Sequence, residues 1–148
     1  MVGCILTGHG TFAEGLGGAL EMVGGPQELF QAVSFYEDEA ATFGDKLAGA
    51  ISEMASACDG VVVFCDLMGG TPFNQAMMAA AATPGVEVVT GTNLPMLLET
   101  LSTRMPDSTV DELVECALAS GKMGVDHKKL EVADDSDDDD LFGEEDGL

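Results

Sequence analysis

Positive charge is what this chain has least of. Its 148 residues carry five bases, Lys46, Arg104, Lys122, Lys128 and Lys129, against 27 acids, a formal net charge of -22. That balance argues against nucleic acid or an anionic membrane as partner, because either needs a basic face that five scattered cations can hardly assemble. No apolar run approaches the roughly 20 residues that span a bilayer, and the opening MVGCIL has no basic segment before its apolar stretch. A signal peptide is therefore not expected, and the protein is expected in the cytoplasm. The four cysteines, Cys4, Cys58, Cys65 and Cys116, form no CxxC pair, and three of them lie in apolar runs. They read as reduced, structural thiols. Also missing are a P-loop, a G-x-S-x-G elbow and any cluster of metal ligands; the glycines at 8 and 10 lack the third glycine of a dinucleotide fingerprint.

What is present suffices for one globular domain, with 46% hydrophobic residues. Ten of the 27 acids fall in residues 131–148, which leaves 17 against the same five bases in the first 130. The domain is accordingly placed at 1–130, with an acidic tail, expected to be disordered, at 131–148. The acidity of the domain itself has two readings: a surface adapted to a salt-rich cytoplasm, or simply a soluble acidic domain.

Short apolar runs alternate with helix-like stretches, the pattern of βαβ units around a mainly parallel sheet. Strands are expected at 2–6, 29–35, 61–66 and 86–89. The helix after the first strand opens with the T-x-x-E spacing of a capping box, Thr11 and Glu14. The acids of EDEA open the second helix. Thr71 reads as N-cap and Pro72 as first helical residue of the third. The last helix is expected to be capped by Asp107 or Ser108 and stopped by Gly121.

His9 stands at the end of the first strand and Asp66 at the end of the third, where ligands gather in doubly wound sheets. If those strands are neighbours, the two turns face one crevice. An imidazole whose Nδ1–H is held by a carboxylate keeps its Nε2 lone pair exposed and nucleophilic. Gly8 and Gly10 would then let a partner approach, while the amides opening the helices at Thr11 and Thr71, with Gly69 and Gly70, would face an anion. The bland alternatives are a solvated surface histidine and a turn aspartate. His127, beside Lys128 and Lys129, reads as surface, and the Met/Ala run at 75–82 as core.

Four segments, GHGTFAEGL, FCDLMGGTPFNQA, TGTNLPMLLETL and DELVECALASGKMGV, together resemble the IIA domain of the mannose class of the bacterial sugar phosphotransferase system. The resemblance covers residues 1–130. It implies an open parallel sheet in the order 2-1-3-4 with helices on both faces, and a homodimer that exchanges a C-terminal strand near 124–132. It implies that His9 accepts phosphate on Nε2 from the phosphocarrier protein and passes it to a IIB component, with Asp66 orienting the ring and Thr71 near the phosphate. The membrane IIC and IID components are then indirect partners, and no metal or nucleotide cofactor is called for. Docking is expected around Phe12, Leu67, Met68 and the loop ending in Asn93. Three other functions compete: a phosphoryl donor to dihydroxyacetone kinase, a regulatory module without chemistry, and a small hydrolase using His9 and Asp66.

Overall fold

The computed structural model describes residues 1–132; the acidic segment from 133 onward, and the disorder expected of it, lie outside the described residues. The elements run β1 Gly3–His9, α1 Phe12–Gly24, β2 Phe30–Phe35, a 3-10 turn Glu37–Glu39, α2 Phe43–Ala57, β3 Val61–Cys65, α3 Gly70–Ala82, β4 Val86–Val89, α4 Leu94–Thr103 and α5 Val110–Met123. The four strands form one sheet in the order β2-β1-β3-β4, and every pair is parallel.

Alternation along the strands divides the core in two. Cys4, Leu6, Val62 and Phe64 pack with Ala13 and Leu20 of α1, Met96, Leu97 and Leu101 of α4, and Leu113 and Ala117 of α5. Their sequence neighbours Ile5, Val61, Val63 and Cys65 pack on the other side with Phe43, Leu47 and Ile51 of α2 and Ala76 of α3. This two-sided cover is why β3 is apolar at every position rather than alternating. Each fully buried Val or Leu stabilises the fold by about 1.5–3 kcal/mol relative to exposure. Burial also pushes the Cys4 thiol up to about 12, against the pull of Arg104, and Cys65, beside the Asp66 charge, to about 12. All four cysteines are free, as expected of structural thiols.

Several local expectations need correcting. The acids at 37–39 form a separate 3-10 turn, in which the Glu39 carboxylate accepts from the Tyr36 N–H and from Lys46 Nζ, each at 3.0 Å. Those bonds hold Glu39 below the usual carboxylate range, and α2 starts only at Phe43. Thr109, not Asp107 or Ser108, caps α5: its hydroxyl accepts from the Glu112 N–H at 3.1 Å, and Glu112 returns the bond to the Thr109 N–H at 2.9 Å. Gly121 does not stop that helix, which runs to Met123. A side chain there would strike Met96, 2.6 Å from an ideal Cβ, so this glycine serves the close packing of α4 on α5.

The only arginine, Arg104, is 9% exposed. Its guanidinium donates to the carbonyls of Val2 (2.8 Å), Leu29 (3.5 Å) and Glu28, at the amino ends of β1 and β2. At the other end of the chain, residues 125–132 form no strand in the single subunit and are exposed throughout.

Candidate functional site

The parallel order brings the carboxyl ends of β1 and β3 side by side, so the first sequence inference about the site holds. His9 Nδ1 lies 2.8 Å from Asp66 Oδ2, and the same oxygen accepts the His9 main-chain N–H at 2.9 Å. Oδ1 accepts the Leu67 N–H at 2.9 Å. Burial alone would raise the Asp66 carboxyl; the hydrogen bonds from His9 and Leu67 and the attraction of His9 outweigh it and hold Asp66 below the ordinary aspartate range. A carboxylate fixed in this way accepts from Nδ1–H, which leaves the other ring nitrogen free. The His9 side chain is 46% exposed while that of Asp66 is 11% exposed. The carboxylate is thus enclosed while the imidazole is open to solvent.

Nε2 faces the start of α3. An ideal Cβ on Gly70 would lie 3.1 Å from Nε2 and 3.0 Å from Cε1, and Gly70 has φ +83°. Both facts demand glycine: the backbone is left-handed there, and it touches the imidazole. Gly69, at φ +92°, occupies the N-cap position. Thr71 therefore sits inside the first turn and makes no capping bond, which corrects its assignment as cap and leaves its hydroxyl unengaged by the helix. The amino end of a thirteen-residue helix is a favourable place for negative charge.

The other residues singled out in sequence divide into two groups. Gly10 (φ +57°) opens onto free space, and Leu67 and Met68, 49% and 75% exposed, lie beside the histidine in the turn after Asp66. Gly8 has a packing role: its Cβ would fall 2.6 Å from Phe12 and 2.9 Å from Asp66, so it admits the carboxylate and the Phe12 ring. Thr11 is exposed at the N-cap of α1 but makes no capping bond. Its expected box partner Glu14 is drawn away to the Tyr36 hydroxyl. Asn93 is a cap for α4, accepting from the Met96 N–H and donating to the Gly121 carbonyl, both at 3.0 Å; its amide is occupied at both ends.

Two further residues shape the site: Thr92, inside the expected docking loop, and Phe35, which no sequence motif marks. The Thr92 hydroxyl donates to the Cys65 carbonyl at 2.8 Å, fastening the loop after β4 to the strand end that carries Asp66. Phe35 closes β2 in register with His9, and its ring meets the imidazole edge to face, centroids 5.9 Å apart at 74°. Only the strand order could have pointed to either.

Known proteins resemble this chain in sequence and in fold. The chain is 35% identical over 125 residues to the PTS system mannose-specific EIIAB component of Escherichia coli K12, covering 84% of this chain. It spans only 38% of that relative's length. The PTS system fructose-specific EIIA component of Bacillus subtilis is 33% identical, with 70% of this chain and 71% of the relative covered. Among solved structures, a mannose/sorbose specific IIA subunit from Enterococcus faecalis superposes with a TM-score of 0.78 at 32% identity, over 88% of this chain and 97% of the other. The family model described as the PTS system fructose IIA component matches residues 3–118, and the chain accordingly belongs to the EIIA family of the mannose/fructose/sorbose class of the phosphotransferase system.

Proposed function

We propose that His9 is the phosphoryl carrier of this EIIA protein, taking the group from a phosphohistidine on the phosphocarrier protein and yielding it to a IIB component. The observation that carries the reading is the division of labour on one imidazole: Nδ1 is held by Asp66 at 2.8 Å, and Nε2 lies against the glycine that opens α3. In the transfer the Nε2 lone pair attacks phosphorus while the P–N bond to the donor ring breaks, its electron pair leaving on the donor nitrogen. The positive charge that develops on the His9 ring is met by Asp66 through Nδ1–H. The phosphoryl oxygens face the amino end of α3, where Gly69, Gly70 and the Thr71 hydroxyl receive them. Exchange between two such rings needs positioning and charge stabilisation more than covalent work by the protein.

Leu67 and Met68, with Phe12 and Thr11, form the rim on which donor and acceptor dock. The protein works as a cytoplasmic homodimer, in which residues 124–132 leave their own subunit and pair with the free edge of β4 in the partner, and the IIC and IID membrane components are reached only through IIB. Incubation with the phosphorylated phosphocarrier protein tests the reading: an acid-labile gain of about 80 Da, one phosphoryl group, is expected on His9 and absent in His9→Ala. An unchanged mass, or the same adduct in His9→Ala, overturns it.

A further inference from the structure

We propose that Phe35 is a positioning residue that holds the His9 imidazole from the side opposite Asp66; the proposal rests on the carrier reading above. β1 lies between β2 and β3. Asp66 follows β3, while Phe35 ends β2 and is the register partner of His9. The two rings meet edge to face at 5.9 Å and 74°, within the range of a favourable aromatic pair. Phe35 is itself braced by Phe43, at 4.7 Å and 57°, and Phe43 is fully buried in the first turn of α2. The Phe35 carbonyl also accepts the Gly10 N–H at 2.7 Å, so one residue grips both the ring and the peptide that follows it.

The chemistry needs that second hold. A hydrogen bond prefers to lie within about 30° of linear and weakens steeply only beyond about 60°, so the bond to Asp66 fixes which nitrogen carries the proton without fixing the plane of the ring. Productive attack demands alignment within about 10–20°. A side chain 46% exposed lacks the all-round packing that restrains a core residue. Phe35 supplies the missing contact. Tilting the imidazole toward β2 drives it into a ring that Phe43 prevents from yielding.

The test compares Phe35→Leu and Phe35→Tyr with Ile51→Val, which loosens the same core at another position. Expected for Phe35→Leu is a roughly tenfold lower transfer rate at saturating phosphorylated carrier with KM for the carrier changed less than about twofold. Nitrogen-15 spectra of the imidazole should show the Nδ1–H tautomer retained but the ring less ordered. Phe35→Tyr keeps the aromatic face and should restore both rate and order. Wild-type rate and ring order in Phe35→Leu, or a loss equal to that of Ile51→Val, would overturn the proposal. Should Phe35→Leu not fold, Phe35→Met takes its place. If the wild-type protein accepts no phosphoryl group, the carrier reading fails, and the ring-order measurement alone decides whether Phe35 orients His9.

Discussion

One oxygen of Asp66 serves His9 twice: Oδ2 accepts from the main-chain N–H at 2.9 Å and lies 2.8 Å from the ring Nδ1. The carboxylate thereby fixes backbone and side chain of the same residue together. Asp66→Asn keeps an oxygen for the backbone bond but offers the ring no negative charge. Transfer from the phosphorylated carrier should fall by about two orders of magnitude or more, with the fold intact by circular dichroism. A rate within twofold of wild type would remove Asp66 from the mechanism.

The acid limb follows from the same carboxylate. Its pKa lies below the ordinary 3.8 in the folded protein, so its contribution to stability is fully present above about 3.8 and is lost as pH falls through the lower, folded value. Carbon-13 titration of the Asp66 carboxyl should give a midpoint under 3.8. A midpoint at or above that value contradicts the hydrogen-bond account.

Gly70 and Gly10 make a matched pair for mutagenesis. Both have positive φ, +83° and +57°, but a Cβ meets the imidazole only at Gly70. Gly70→Ala should cost about 1–2 kcal/mol of stability and also obstruct Nε2, cutting transfer by about 100-fold. Gly10→Asn, in a conformation asparagine tolerates, should lose less than about 1 kcal/mol and retain most of its activity. Urea unfolding and initial rates measure both, and equal rates in the two variants would refute the contact.

Arg104 carries a purely structural expectation. Replacing it by Met leaves the Val2 and Glu28 carbonyls without their shared donor, while the Leu29 carbonyl keeps the Cys4 N–H at 3.0 Å; unsatisfied buried acceptors cost about 1–3 kcal/mol each. Denaturant midpoints should report a loss of about 3 kcal/mol or more. In whatever fraction remains folded, the His9 imidazole resonances should be unmoved, because the guanidinium sits at the opposite ends of the strands.

Salt should help this protein. With a net charge of -22, raising salt from about 0.1 M to about 2 M collapses the range of self-repulsion to a few ångströms. The melting temperature should rise, and so should the rate of transfer from an acidic carrier. A rate that declines steadily with added salt would show that attraction, not repulsion, governs docking.

The strands were legible because they depend on period and strand ends that the chain displays openly; their order came only with the family resemblance, and the pairing of His9 with Asp66 was conditional on that order. The helix starts were less so. Thr71-Pro72 has the residues of a cap followed by a first turn, yet two glycines with positive φ begin the helix earlier. Glu14 is spaced for a capping box, but the Tyr36 hydroxyl, from another element, takes its carboxylate. Gly121 looks like a stop until α4 is packed against it. Asn93, at the expected docking rim, also caps α4, with both ends of its amide engaged. For Glu14 and Gly121 the deciding partner is distant in sequence, and the same holds for the contact between Phe35 and His9.

Enclosing its single guanidinium leaves this chain with nothing but ammonium groups to offer from outside. The rigid two-pronged recognition of phosphate that arginine provides is absent from its outer face. In the proposed transfer, a phosphoryl group at His9 would be met by peptide dipoles and the Thr71 hydroxyl, and a guanidinium would have to come from outside residues 1–148. On that reading, selectivity for phosphate would be shared across the encounter, with the guanidinium part of the anion's cradle arriving and leaving with the donor.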